Sequence, residues 1–251
     1  SDPIRKAYPD RIVVRFGLAE EVRDQLILSD SEKNAFSLDG ILPTNLPTIF
    51  DDNGDPRAEY VDRALNAYDP YVRYAAFNVK KVPCLEVRRA VYFAKDAAAL
   101  LQLGGGSAFG GDPADGSIKP LMGLDYAPVT GLEDYMPEGN AEVAKALMEK
   151  AKTTCPDVYA RATDPKRGLV YDTADSETNK KASAIWIDSM MKNAGIVMKF
   201  NFIEPGSYYA VVLDATKQSD LSAGGWGPDW ANASTVIPEL FTKEGGFPMS
   251  Q

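Results

Sequence analysis

Histidine is absent from the 251-residue chain, and cysteine occurs only twice. The first absence removes the Ser-His-Asp and Cys-His nucleophilic devices, together with His-ligated zinc, copper and iron. Two cysteines cannot build a Cys₄ zinc or iron–sulfur site. Positive charge is also short: 27 Lys and Arg stand against 36 Asp and Glu, a formal charge of −9. Nucleic-acid binding needs a positive footprint, so the balance argues against it. There is no apolar run of ~18 residues, the length needed to span a bilayer. The opening Ser1-Asp2-Pro3-Ile4-Arg5 is neither a signal peptide nor a lipoprotein leader. An exported protein would therefore be represented here by its mature chain or a piece of it. Carboxylate-pair hydrolysis, which needs only Asp and Glu, survives these exclusions, but no pair stands out among so many acids.

What is present is ordinary for a globular chain: 45% hydrophobic and 25% charged residues. The length can bury one sizeable core or two unequal ones. Arg11-Ile12-Val13-Val14-Arg15-Phe16 predicts a short strand, and Glu20 to Leu28 a helix. Residues 39–57 predict a long loop ending in Asp51-Asp52-Asn53-Gly54-Asp55-Pro56. That cluster loosely resembles a calcium loop. Its sixth position is Pro56, where Gly is needed, and its twelfth is Asp62 rather than Glu. A turn is the better reading.

Tyr71 to Val79 alternates as a strand. A helix from Leu85 to Leu103 follows, with Val87, Ala90, Val91, Ala94, Ala98 and Leu101 on one stripe. The glycine-rich run 104–111 invites a phosphate-loop reading. No Gly-Lys-Ser/Thr follows it, and Phe109 sits where the third Gly of Gly-x-Gly-x-x-Gly belongs. Residues 104–139 are expected to be a surface loop. Asn140 is placed to cap a helix through Lys152, with Val143, Ala144, Leu147 and Ala151 inward. Gly168 to Asp172 predicts a strand, Ser176 to Ala194 a helix stopped by Gly195, and Ile196 to Ile203 a strand. A helix at Tyr208–Lys217, a strand at Leu221–Trp226 and a short helix at Ser234–Phe241 complete the series. The expected class is α/β, a mostly parallel sheet with helices on both faces.

The last strand ends in Gly224-Gly225-Trp226-Gly227-Pro228-Asp229-Trp230. With the preceding elements this resembles the family 5 extracellular solute-binding proteins, the peptide- and oligopeptide-binding components of bacterial ABC importers. Two further stretches are similar to that family. One is Asn78-Val79-Lys80-Lys81-Val82-Pro83 followed by Val87-Arg88-Arg89-Ala90-Val91-Tyr92-Phe93-Ala94-Lys95-Asp96. The other is the helix-to-strand joint Asn193-Ala194-Gly195-Ile196. Together the three cover about residues 70–241 in the family's order.

The resemblance implies a periplasmic-binding-protein-like (type II) lobe. Residues 1–66 would be a remnant of the first lobe with a hinge-proximal loop, and 67–251 the second, ligand-binding lobe. Family members have about twice this length, so the resemblance implies a fragment of a two-lobed protein, and such a fragment would bind weakly or not at all by itself. The implied function is capture of a peptide outside the membrane for an ABC permease, without chemistry or cofactor. The resemblance implies a monomer that is periplasmic or a cell-surface lipoprotein. Relatives also take oligosaccharides, nickel complexes and haem.

The resemblance also places Asp229 as the partner of a peptide's N-terminal ammonium. An acid at the carboxyl end of a strand independently suits the crevice where open α/β sheets bind ligands. Trp226 and Trp230 offer apolar faces with one N–H donor each. Gly225 and Gly227 (and Gly224) would let a ligand backbone approach closely. The alternatives are a loop or capping carboxylate for Asp229 and core packing for Trp226. Ala231-Asn232-Ala233 departs from the family's acidic-Pro turn at the same place. Cys84 and Cys155 stand at helix ends. In an exported protein that suggests a disulfide, two separate buried thiols being the alternative.

Overall fold

The computed structural model describes residues 8–32, 34–37, 40–69, 71–242 and 244–247. The chain divides into two compact units, Ser1–Asn66 and Ala67–Gln251.

In the first unit, α1 (Glu20–Leu28) is joined to a short helix, α2 (Leu46–Ile49), by one buried acid. Asp24 accepts from the Leu42 amide at 2.9 Å and from Asn45 Nδ2 at 2.8 Å, and pairs with Arg23. Burial pushes its carboxyl up, but the hydrogen bonds from Asn45, Arg23 and Leu42 outweigh that and hold it below the ordinary value. Leu46, Ile49 and Phe50 form the small core. The acidic cluster is a turn. Asp51 accepts from the amides of Asn53 and Asp55 at 2.9 and 3.0 Å, and Gly54 takes φ 84°. Residues 11–16 differ from expectation. They form no strand, and Ile12, Val13, Val14 and Phe16 are exposed. A β-branched run becomes a strand only where a ladder partner exists, and none of the described residues supplies one.

The second unit is built on a four-stranded sheet. β1 (Val72–Phe77) is followed by α3 (Leu85–Ala94), α4 (Ala97–Leu103) and α5 (Ser107–Gly110). Then come α6 (Ala141–Thr154), α7 (Pro156–Ala162), β2 (Leu169–Ala174), α8 (Glu177–Ala194), β3 (Met198–Ile203), α9 (Tyr208–Val212), β4 (Leu221–Trp226) and α10 (Ile237–Phe241). The strand order is β1-β4-β2-β3. β2 pairs in parallel with β3 and β4, and only β1 runs antiparallel, against β4. Helices cover both faces, so the α/β expectation holds.

The main core lies on one face. Leu169, Tyr171, Met198 and Leu221 of the sheet meet Val87, Ala90, Val91, Phe93, Ala144, Met148, Trp186 and Met190 of the helices. On the other face Tyr208 and Val212 of α9 pack on Ala76. α8 begins at Ser176, whose hydroxyl accepts from the Asn179 amide at 3.1 Å. It ends at Gly195, with φ 65°.

The predicted 85–103 helix is two helices. Asp96 accepts from the Ala99 amide at 2.8 Å and so caps a new helix, while Lys95 turns extended. A side chain that serves the backbone in this way competes with helix continuation. The carbonyls freed at the end of α3 find partners. The Asn140 amide donates to Phe93 O at 2.7 Å and Asn193 Nδ2 to Ala94 O at 2.9 Å. Asn140 itself caps α6 through the Val143 amide. α7 was not expected; Pro156 starts it at the position where a missing N–H costs nothing. α9 stops at Val212 rather than Lys217, and Asp214 then turns the chain by accepting from the Thr216 amide and hydroxyl.

Candidate ligand-binding site

β2, β3 and β4 are parallel, so their carboxyl ends share one edge of the sheet. β4 brings Trp226 to that edge, and the chain leaves it as Gly227-Pro228-Asp229-Trp230. The loop closes on itself through Thr235, which is buried. The Asp229 amide donates to the Thr235 hydroxyl at 3.1 Å, and that hydroxyl donates to Asp229 Oδ2 at 3.0 Å. Trp226 Nε1 donates to the Thr235 carbonyl at 2.8 Å, and Trp230 Nε1 to the Ser234 hydroxyl at 3.3 Å. Asn232 accepts from the Ser234 amide, and Asp125 Oδ2 from the Ala233 amide at 2.8 Å. The segment that lacks the acidic-Pro turn is thus held by an acid from elsewhere in the chain.

The expected residues therefore gather at one place but in unequal settings. Asp229 and Trp230 are exposed, Trp230 by 59%. Trp226 is packed beside Met122, Val236 and Leu240, with its ring 5.6 Å from that of Phe247. At Gly227 the room is already occupied: an added Cβ would lie 2.8 Å from the Tyr71 ring. At Gly225 it would make ordinary contact with Val72 O and Arg73. The cluster thus also includes Thr235, Ser234, Asp125 and Tyr71, which sequence reasoning missed. Nothing in the spacing of a Thr six residues past an Asp marks it as a partner.

A pocket of about 190 Å³ beside this cluster is lined by Tyr74, Ala75, Ala76, Ser117, Leu240, Phe241 and Phe247. A second, of about 240 Å³, lies between α3 and the 113–135 segment, with Tyr92, Asp115, Glu133 and Tyr135 in its wall. Cys84 and Cys155 lie with Cα atoms 5.9 Å apart and their sulfurs joined as a disulfide. With Glu86 they are the one group with metal-ligand geometry among the described residues, and both sulfurs are engaged with each other. Among the described residues no helix is long and apolar enough to cross a membrane.

Comparison with known proteins places the whole chain in one family. The family described as Bacterial extracellular solute-binding proteins, family 5 Middle, matches residues 2–248. The chain belongs to that family. Among curated proteins none matches it. Solved structures do. The periplasmic murein tripeptide binding protein MppA, in its unliganded open form, has a TM-score of 0.60 at 18% identity, over 92% of this chain and 41% of its own. The ABC transporter substrate-binding protein CtaP of Listeria monocytogenes gives 0.61 at 15%, over 92% and 42%. OppA of Haemophilus influenzae, in complex with RPPGFSPFR, gives 0.59 at 17%, over 84% and 38%. At these identities the likeness is one of fold. The chain spans about two fifths of the length of each of these structures.

Proposed function

We propose that this chain is part of the substrate-binding component of an ABC importer, which captures peptides outside the membrane and presents them to a permease. Residues 67–251 act as the second, ligand-binding lobe and 1–66 belong with the first lobe and hinge. The observation that carries the reading is Asp229. It is an exposed carboxylate at the carboxyl end of a sheet strand, in a chain of the family 5 solute-binding proteins. Thr235 engages Oδ2, and Oδ1 has no hydrogen-bond partner among the described residues. Oδ1 is the atom that receives the ligand's ammonium. The exposed face of Trp230 lies next to it in the chain and suits a cation or an apolar side chain. Trp226, Gly225 and Gly227 shape the wall behind them. The solved structures of a murein tripeptide binding protein and of OppA in complex with RPPGFSPFR support this ligand class.

The protein works as a monomer, carries out no reaction of its own and binds no nucleic acid. It is held outside the membrane, free or on a lipid anchor, where the Cys84–Cys155 disulfide persists. Calorimetry with unblocked di- to pentapeptides on the protein at its native length tests the reading. Asp229→Asn should weaken binding by about 2–5 kcal/mol, the cost of removing one partner of a desolvated charge pair. Unchanged affinity in that variant would refute the role of Asp229.

A further inference from the structure

We infer that Thr235 is the positioning residue of this site: it holds the Asp229 carboxylate in the one orientation that leaves Oδ1 free for a ligand amine. The inference rests on the reading that Asp229 receives an ammonium. A threonine hydroxyl has one proton to give and two lone pairs to accept with. Here the proton goes to Asp229 Oδ2 at 3.0 Å, and a lone pair takes the amide of the same residue at 3.1 Å. One side chain thereby fixes both the backbone and the carboxylate of Asp229. The carbonyl of Thr235 holds the Trp226 indole at 2.8 Å. The last residue of β4 and the acid three positions beyond it are tied to the same point.

Thr235 suits this role because it is buried in a tethered turn. It is 3% exposed and ends the short turn Ala233–Thr235. That turn is capped by Asn232 and tethered by Asp125 through the Ala233 amide at 2.8 Å. Asp229, by contrast, is exposed. Without the hydroxyl, water would satisfy its amide and carboxylate, and the fold would lose little. The carboxylate would then sample several rotamers, and a ligand would have to order it on binding. A threefold to tenfold loss of affinity is expected, about 0.7–1.4 kcal/mol, which lies within the cost of immobilising one side chain.

The test compares Thr235→Val, which keeps the shape and removes the hydroxyl, with Thr235→Ser, which keeps the hydroxyl. The probes are trialanine and N-acetyl-trialanine. The Asp229 rotamer is read from its Hα–Hβ NMR couplings without ligand. The expected result for Thr235→Val is a threefold to tenfold loss for trialanine, no change for the acetylated probe, and averaged couplings at Asp229. Thr235→Ser should restore all three. A Thr235→Val protein with a single Asp229 rotamer and unchanged trialanine affinity overturns the inference. So does an equal loss for both probes, or a Ser variant that behaves like Val. If the unaltered protein binds neither probe, the peptide reading fails, and the couplings alone decide whether Thr235 positions Asp229.

Discussion

Breaking the Cys84–Cys155 link should cost this protein a large part of its stability. The bond joins the residue that precedes α3 to the junction of α6 and α7, across a sequence separation of 71. On the chain-entropy account, closing a loop of that length removes about 4 kcal/mol of freedom from the unfolded state. The native side changes little. α3, α6 and α7 pack on one another through buried Val87, Ala90, Val91, Ala144, Met148 and Ala162, contacts that do not need the bond. An ion pair across the same helices, Lys150 to Glu86 at 3.1 Å, has a Lys side chain 63% exposed and contributes little. The loss should therefore appear through the unfolded chain. A domain of this size shifts its midpoint by about 2–4 °C per kcal/mol, which predicts a fall of roughly 8–16 °C.

The assay is thermal and urea unfolding followed by circular dichroism. It compares the oxidised protein, the protein reduced with a phosphine, and the Cys84→Ala/Cys155→Ala variant. Reduced protein and variant should agree closely. Both should show a steeper urea dependence than the oxidised form, because a longer free chain exposes more surface on unfolding. Two free thiols in unfolded, unreduced protein would refute the reasoning at its first step. A midpoint that moves by less than about 3 °C on reduction would refute the magnitude.

Other substitutions probe single contacts. Gly139→Ala should destabilise by about 3 kcal/mol in urea unfolding, since φ is 88° and the new Cβ would lie 2.5 Å from Asn193 Nδ2 and 2.8 Å from Ala94 O. Arg161→Ala should cost about 3 kcal/mol, because Asp220, with a side chain 5% exposed, loses its 2.6 Å ion pair and keeps only the Val170 amide. Lys95→Met should raise the midpoint at neutral pH, because burial lowers the pKa of this ammonium, whose cationic contact is the face of Tyr92. The advantage should shrink as pH rises through the depressed value towards the ordinary 10.5. Asp24 titrates below its ordinary value of 3.8, so its contribution is complete above that pH and lost as pH falls through the lower folded value. Protection of the α1 amides, taken relative to their intrinsic exchange rates, should therefore fall below about pH 4, and Asp24→Asn should flatten that dependence.

The elements legible in the sequence are those whose signals are local. α1 and β4 fall on the predicted residues, and α8 needs only its cap at Ser176, its apolar stripe and its stop at Gly195. The misreadings share another cause. The 85–103 stripe is continuous in hydrophobicity, yet one aspartate breaks the helix by serving a backbone amide. α7 hides behind Pro156, which ends helices more often than it is noticed starting them. Residues 11–16 have strand composition, but strand formation is a property of a pair of segments, and composition reports on one.

The candidate site divides along the same line. Asp229, Trp226 and Trp230 stand together in a short motif, so residue order alone brings them into view. Their supports come from contacts between distant segments. Asp125 reaches Ala233 across a separation of 108 residues. Tyr71 meets Gly227 only because β1 runs antiparallel to β4 with Val72 opposite Trp226, which sets residue 71 beside residue 227. That register also changes the meaning of the glycine. A glycine beside a binding motif invites the thought of a ligand's backbone, but here the space its missing side chain leaves is filled by a tyrosine of the same protein. The residues of the motif that meet solvent are Asp229 and Trp230, and Asp229 is held by a threonine that no pattern in the sequence marks.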